Sequence, residues 1–194
     1  MSARAWQCQS LMIDYPDATL LDRLDLLAEA ARTLAAPVGE PLLRFLHHVR
    51  STPAERLAED YVATFDHRKR CCLFLTYYAH GDTRNRGMAL LELKQTYAAA
   101  GWRLSDEELP DHLGVVLEFA AASHDSEPLV RHRDGLELLR LALHDAGSPW
   151  ADVVDSVAAT LPPLAGHQRT ALDRMIAGGP PAEKVGLEPY GASR

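Results

Sequence analysis

The sequence is poor in cysteine and has no long uninterrupted apolar run. Its 194 residues include three cysteines, Cys8 and the adjacent pair Cys71 and Cys72, with no CxxC spacing. An odd cysteine count without such spacing argues against a disulfide framework and favours a reducing compartment. Charged residues interrupt every apolar run well before the ~18 residues that a membrane-spanning helix needs, and the start of the chain lacks the apolar stretch of a signal peptide. We therefore expect a cytoplasmic protein that does not insert into the membrane.

The sequence also lacks the motifs that mark most enzymes and metal proteins. It contains no GxGxxG, no P-loop and no GxSxG, which are the strong signals for a phosphate cradle or a nucleophile elbow. Its nine histidines form no HExxH, no ExxH pair and no Cys/His cluster at zinc spacing. A small hydrolase using Asp66, Asp82 and His112 is the enzymatic alternative, but no activating group accompanies these side chains. We expect no catalytic residue, no cofactor and no metal site.

The composition is typical of one globular domain. The hydrophobic content of 47% and the charged content of 24% are close to the averages for such domains, and a chain of this length buries a sufficient core by itself. The net charge of −7 disfavours nonspecific binding to nucleic acid and favours a basic partner. Glycine and proline become frequent near the end. We expect a helical domain over residues 1–177 and a flexible tail over residues 178–194.

The spacing of the apolar residues predicts an all-α protein of about eight to ten helices, because the 3.6-residue period dominates the chain. Thr52 and Asp111 are expected to cap helices, and Gly81, Gly101 and Gly147 to end them. The segment 71–79 is apolar almost all round, which predicts a buried central helix. We expect helices over residues 17–34, 41–49, 53–65, 71–79, 83–100, 112–121, 128–145, 149–161 and 164–177.

The most distinctive part of the sequence is YVATFDHRKRCCLFLTYYAHGDTRNRG, residues 61–87, which is followed after one more helix by ELPDHL. Its Tyr-Val…Phe-Asp end, its Leu-Thr-Tyr-Tyr run and its Gly-Asp-Thr-Arg…Arg-Gly segment closely resemble the nitrate reductase molybdenum cofactor assembly chaperones of the NarJ type. These proteins belong to a wider group of helical chaperones that mature molybdenum enzymes. The resemblance is clearest over residues 8–122. The chain departs from the pattern at Cys71-Cys72, where small or polar residues are expected, and at Gly114, where a proline is common.

This resemblance implies a chaperone and not an enzyme. Such a chaperone binds the N-terminal segment of the nitrate reductase α subunit and holds the apoenzyme open while the molybdenum cofactor is inserted. It also delays docking to the membrane subunit. The alternative is a related chaperone that recognises the Tat-type leader peptide of another molybdenum reductase. Self-association is left open by the resemblance.

Local charge suggests where a client segment would bind. Residues 67–86 contain five Lys or Arg against one Asp, whereas residues 104–127 contain seven Asp or Glu and no Lys or Arg. An acidic stretch beside an apolar face suits a basic amphipathic helix, although the alternative is that these charges pair within the fold. The candidate client-binding residues are Tyr61, Phe65, Asp66, Leu73, Tyr77, Asp82, Arg84, Arg86, Glu108, Pro110, Asp111, His112 and Glu118.

Several of these candidates also have a purely structural interpretation. The four apolar candidates lie at helical spacing, which is equally typical of core residues. Asp66 and Asp82 are suited to capping helices or closing turns. Arg84 and Arg86 are two positions apart and are therefore expected to make different contacts.

Overall fold

The chain folds through helices, as a computed structural model of residues 2–105 and 108–164 and of the single residues 166, 170 and 173 shows. A 3-10 turn spans Lys69–Cys71. The all-α prediction is confirmed, and no described helix is long and apolar enough to cross a membrane. The helices of the described residues are α1 Ser2–Ile13, α2 Ala18–Leu21, α3 Leu24–Arg32, α4 Ala36–Ser51, α5 Ala54–Phe65, α6 Tyr77–His80, α7 Arg84–Ala99, α8 Leu113–Ser123, α9 Glu127–Arg131, α10 Arg133–Asp145 and α11 Trp150–Ala159.

The main core forms where α1, α4, α8 and α11 meet. Helix α1 packs along α8 and α11, and α11 packs in turn on α4 and α10. Trp150 at the start of α11 is completely buried against Phe45 of α4 and against Tyr61 and Phe65 of α5. Each large apolar side chain buried in this way contributes about 1.5–3 kcal/mol to folding. The core therefore holds the end of α5 rigidly beside the start of α11.

Helix α7 stands apart from the main core and packs through a small cluster of its own. Leu93 and Tyr97 of α7 contact Val115 and Phe119 of α8, and Trp102 packs against the cluster from the following loop. The first half of α7 presents exposed apolar side chains to solvent. Helix α8 thus belongs to both cores, and its first turn is fixed between them.

Several predicted helices have different bounds in the structure. The helix expected over residues 17–34 is divided into α2 and α3, and the one expected over residues 128–145 is divided into α9 and α10. Pro37 lies in the first turn of α4, which begins before the predicted residue 41. A proline is tolerated there because the first turn of a helix does not use its own N–H groups. Apart from residues 164, 166, 170 and 173, the predicted helix over 164–177 and the tail over 178–194 lie outside the described residues.

The prediction that Thr52 caps α5 is wrong. Its hydroxyl donates a hydrogen bond of 2.8 Å to the carbonyl of His48 in α4, and α5 begins at Ala54 after Pro53. A threonine hydroxyl can bond either the preceding carbonyl or a following N–H, and here it bonds the helix that precedes it. The two helices are consequently joined by a tight turn.

The predicted buried helix over residues 71–79 is also wrong, although most of its apolar side chains are buried. Cys71, Leu73 and Leu75 are buried and Cys72 is half-buried, but residues 72–74 are not helical, and residues 75 and 76 form a turn before α6. A short apolar run does not distinguish a buried helix from a buried extended segment, which explains the error. Gly81 ends α6 with φ 55°, as predicted for a residue that must adopt the left-handed region.

Candidate functional site

The non-helical segment 72–76 pairs with the connector that precedes α8. The N–H of Leu75 donates to the carbonyl of Asp111, and the N–H of Leu113 donates to the carbonyl of Leu73, both at 2.9 Å. These bonds form an isolated antiparallel bridge between Phe74 and His112. Segments distant in sequence are thereby fastened together at the start of α8.

A buried carboxylate lies behind this bridge. Asp111 is fully buried and accepts a short hydrogen bond from the hydroxyl of Thr76. The guanidinium of Arg86 lies 3.4 Å from Asp111 Oδ2, 3.4 Å from Asp82 Oδ1, and 5.5 Å from the ring centre of Phe74. Tyr97 donates a bond of 2.7 Å to the neighbouring carbonyl of Pro110. This junction anchors the first turn of α7 to the body.

The junction corrects the predicted helix cap at Asp111. Helix α8 follows His112, and no side chain caps its first turn. Asp111 instead faces Thr76 and Arg86, because a carboxylate removed from water needs donors and an opposite charge. A cap can be predicted from local sequence, whereas this contact depends on residues 25 and 35 positions away.

A second group of candidates meets on the surface beside α1. The exposed ring of Tyr15 stands edge-on to Tyr61 at 5.4 Å, and Tyr61 contacts Phe65 at 4.6 Å. Both of these deeper rings rest on Trp150, so the aromatic side chains form a continuous path from the core to solvent. We call this area, with the carboxylates around it, the acidic–aromatic surface. It comprises Asp14, Tyr15, Tyr61, Phe65, Asp66, Glu108 and Glu118.

The carboxylates of this surface are close enough to affect one another. Partial desolvation, followed by the charges of Glu118, Glu108 and Asp17, raises the pKa of Asp14 to about 6. The Asp14 side chain nevertheless remains 56% accessible, so solvent screens these repulsions and keeps them modest. A cationic group placed among these carboxylates would relieve the repulsion, because an opposite charge favours the ionised form of each.

The pKa values of Tyr61 and His112 are shifted partly by the same carboxylates. Burial, and then the charges of Asp14 and Asp66, raise the pKa of Tyr61 well above its usual value. Burial lowers the pKa of His112, whose Nδ1 lies 3.9 Å from Asp14 Oδ1, while Asp111 and Glu108 oppose that change. The imidazole is therefore neutral near pH 7 and leaves the negative charge of the surface uncompensated.

The structure separates the predicted client-binding residues into two groups. Six lie at the acidic–aromatic surface or border it: Tyr61, Phe65, Asp66, Glu108, His112 and Glu118. Four belong to the junction or flank it, namely Asp82, Arg86, Pro110 and Asp111. Leu73 is buried in the main core, Tyr77 is half-buried against Tyr78, and Arg84 is exposed on α7. The candidates Phe65, Leu73 and Tyr77 therefore do not form a single exposed apolar face.

Sequence reasoning missed Asp14 and Tyr15, which lie at the centre of the acidic–aromatic surface. They follow α1 in the sequence IDYPD, which carries no motif and no helical periodicity. The sequence does place Tyr15 between Asp14 and Asp17, and an aromatic residue among charges is typical of a binding surface.

Some carboxylates of the acidic stretch 104–127 are paired within the fold, and others are exposed. Asp111 pairs with Arg86, Glu127 pairs with Arg131 at 2.7 Å, and Asp125 accepts the N–H of Glu127. Glu108 and Glu118 remain exposed beside Asp14. Asp106 and Glu107 lie outside the described residues. Pairing within the fold therefore accounts for part of this charge, and Glu108 and Glu118 add to the acidic–aromatic surface.

Among the described residues, no group of three His, Cys, Asp or Glu side chains is arranged to hold a metal ion. The thiols are also poorly suited to chemistry, because burial raises the pKa of Cys8, Cys71 and Cys72. The features that stand out are thus a structural junction and a charged aromatic surface.

A solved structure of another protein has a similar fold. A solved protein from Archaeoglobus fulgidus, described as a candidate redox enzyme maturation protein, superposes with a TM-score of 0.60 at 22% identity over 78% of this chain and 88% of that chain. The helical arrangement is therefore that of this type of fold. The family model described as "Nitrate reductase delta subunit" matches residues 31–155, and the chain belongs to that family.

Two curated relatives carry more specific names. The nitrate reductase molybdenum cofactor assembly chaperone NarJ of Escherichia coli (strain K12) is 30% identical over 135 residues, which cover 68% of this chain and 57% of the relative. The nitrate reductase-like protein NarX of Mycobacterium tuberculosis is 37% identical over 159 residues, which cover 80% of this chain and 24% of that protein. This chain thus spans only about a quarter to three fifths of the length of these relatives.

Proposed function

We propose that this chain is a maturation chaperone that assists nitrate reductase while its molybdenum cofactor is inserted. The observation that carries the proposal is membership of the nitrate reductase delta subunit family, together with similarity to a relative named as such a chaperone. In this role the protein is not an enzyme, acts in the cytoplasm and does not remain in the finished reductase.

The proposed client is the N-terminal segment of the nitrate reductase α subunit, bound as a basic amphipathic helix. The acidic–aromatic surface supports this choice because Tyr15 and Phe65 offer apolar contact area beside several carboxylates. Aromatic anchors supply most of the affinity at such surfaces, while opposite charges accelerate encounter and fix orientation. Recognition of an amphipathic helix on a partly apolar surface is an established mode of peptide binding.

The proposed anchors differ from those expected from sequence. Leu73 is 5% exposed and cannot contact a client without unfolding its segment, and Tyr77 lies beyond the junction. Tyr15, which is 50% exposed, takes their place beside Phe65. The client would then lie between the end of α1, the end of α5 and the start of α8.

Binding of this segment would couple recognition to assembly. While the segment is held, the apoenzyme stays open for the cofactor and does not dock to its membrane subunit. Once the client has folded around its cofactor, the segment is withdrawn into the client and the chaperone loses its binding site. Such release needs only that the two client states differ in affinity for the chaperone.

The test is calorimetry of the whole chain with a synthetic peptide of the α-subunit N-terminus at about 0.05 M and about 0.3 M salt. We expect one-to-one binding that weakens at the higher salt concentration, because screening shortens the reach of exposed charges to a few ångströms. A peptide with its Lys and Arg replaced by Gln is the matched control and should bind more weakly at both concentrations. A Tat-type leader peptide from another molybdenum reductase tests the alternative client. If the α-subunit peptide does not bind, the proposed recognition is wrong.

A further inference from the structure

An open hollow whose lining includes three cationic residues lies between α5 and α10. It is formed by the 3-10 turn Lys69–Cys71 and by the last turn of α10, and it encloses about 460 Å³. This volume is within the range of small-molecule sites, about 300–1,000 Å³. The residues lining it are Arg68, Lys69, Arg70, Cys71, Ala142, Asp145 and Ala146.

Two arginines in the lining of this hollow are not paired with any carboxylate that the structure describes. Arg68 and Arg70 are exposed, and neither makes an ion pair with a described residue. The positive charge of Arg68 lowers the pKa of the Cys71 thiol, against the larger effect of burial. Burial raises the pKa of that thiol, so Cys71 is neutral and adds no negative charge there.

The end of α10 does not oppose an anion as strongly as a helix C-terminus usually does. The carbonyls of Ala142, Leu143 and His144 accept bonds of 3.0 Å from the N–H groups of residues 146–148. Carbonyls satisfied in this way present less unpaired negative charge to the hollow. The floor is completed by the methyl groups of Ala142 and Ala146, which leaves Asp145 as the one carboxylate among the lining residues.

We propose that this hollow binds the phosphate or pyrophosphate group of a small anionic molecule. Guanidinium groups suit this ligand because their planar N–H donors match two phosphate oxygens at once. Arg68 and Arg70 can make such contacts without breaking an ion pair to any carboxylate that the structure describes. The hollow shares no residue with the acidic–aromatic surface, so its binding of an anion can be measured in the absence of a client segment.

The probe is inorganic pyrophosphate, titrated into the full chain in about 0.15 M potassium chloride, where weak nonspecific charge effects are screened. We expect saturable one-to-one binding. The double variant Arg68→Gln/Arg70→Gln should weaken it at least about tenfold, since it removes both bidentate donors. The matched control Arg84→Gln/Arg103→Gln changes two exposed arginines elsewhere and should stay within about twofold of the unaltered chain.

Removal of Asp145 gives a test that loss of folding cannot imitate. Asp145→Asn should tighten pyrophosphate binding by about twofold or more, because the carboxylate repels the anion across the hollow. Inorganic phosphate and a guanosine diphosphate serve as further arms, and tighter binding of the nucleotide would identify a nucleotide as the source of the pyrophosphate group. Absence of binding, or equal loss in both arginine double variants, would overturn the proposal. Displacement of pyrophosphate by a short oligoglutamate peptide at lower concentration would assign the hollow to an acidic protein segment instead.

Discussion

Gly114 lies directly against the carboxylate of Asp14. A methyl group added at residue 114 would come within 2.7 Å of Asp14 Oδ1 and 3.2 Å of His112 Nδ1. The absence of a side chain therefore gives the Asp14 carboxylate its position over the first turn of α8. This contact also explains why glycine stands where the family resemblance leads one to expect proline, since a proline ring would occupy the same space.

Substitution of Gly114 by Ala should weaken client binding more than it changes stability. The added methyl group displaces Asp14, while alanine favours the helix by up to ~1 kcal/mol relative to glycine. We expect the peptide affinity to fall several-fold and the free energy of unfolding to change by less than about 1 kcal/mol, measured by calorimetry and urea titration. Gly87→Ala is the control: nothing lies within 4 Å of that position, so it should stabilise α7 and leave peptide affinity unchanged. Equal affinities for Gly114→Ala and the unaltered chain would contradict the assigned role of Asp14.

Neutralisation of the exposed carboxylates should slow association of the client. The variant Asp14→Asn/Glu108→Gln/Glu118→Gln is expected to reduce the association rate and to flatten its salt dependence, because exposed charges act mainly on encounter. Stopped-flow mixing at two salt concentrations measures both effects. The control removes three exposed carboxylates from α3 and α5 with the same change in net charge: Glu29→Gln, Glu55→Gln and Glu59→Gln. Identical salt slopes for the two variants would remove the acidic–aromatic surface as the partner of a basic segment.

Truncation of Tyr15 should act on dissociation instead. Its ring is half exposed and contacts Tyr61, so Tyr15→Ala should cost about 1–3 kcal/mol in peptide affinity if Tyr15 is an anchor, with less than about 1 kcal/mol lost in folding. Surface plasmon resonance gives the dissociation rate and a thermal melt gives the stability. Leu26→Ala, at an exposed apolar residue of α3, should change neither quantity. A Tyr15→Ala variant that dissociates at the original rate would exclude Tyr15 as an anchor.

The two carboxylates that face Arg86 should have very different effects on folding. Both lie 3.4 Å from the guanidinium, but Asp111 is fully buried and the Asp82 side chain is 64% exposed. Asp111→Ala leaves a largely buried guanidinium and the Thr76 hydroxyl without their acceptor, which should destabilise the fold by about 2–4 kcal/mol. Asp82→Ala should cost less than about 0.5 kcal/mol. Urea unfolding compares them, and similar losses would show that burial does not govern this junction.

Client binding should strengthen with pH in the range where Asp14 ionises. The pKa of this carboxyl is raised to about 6, so a basic segment binds the ionised form better and affinity rises from about pH 5 to about pH 7. The raised pKa has the opposite effect on folding. Between the pKa of the unfolded chain and that of the folded chain, the folded chain keeps a proton that the unfolded chain loses. An increase in pH therefore favours the unfolded chain, and the free energy of unfolding decreases. Asp14→Asn should reduce both dependences, as calorimetry and urea titration across this range would show. An unchanged affinity profile in Asp14→Asn would assign the titration to another group.

Local sequence was sufficient for features that depend on local geometry. Gly81, Gly101 and Gly147 were expected to end helices, and each has a positive φ at such an end. The helical spacing of Trp150, Val153, Val154 and Val157 likewise matches the buried face of α11.

Features that depend on distant partners could not be predicted in this way. The non-helical course of residues 72–76 accompanies their pairing with the connector before α8. Asp111 is predicted as a cap because its partners Thr76 and Arg86 are remote in sequence. The acidic–aromatic surface brings together residues from α5, from α8 and from the turn after α1, and no periodicity links those segments. Charge counts identified Glu108 and Glu118 but gave no indication of Asp14.

The bridge between Phe74 and His112 makes residues 77–110 an excursion whose two ends lie side by side. Because the bridge and the Asp111–Arg86 contact close its base, and the small cluster around Tyr97 supplies its own packing, the excursion depends little on the main core. Each doubling of the length of a flexible loop closed in this way costs only ~0.6 kcal/mol. We therefore expect insertions and deletions at exposed positions of residues 77–110 to reduce the free energy of unfolding only slightly. The length of this segment can then change while the rest of the fold stays the same.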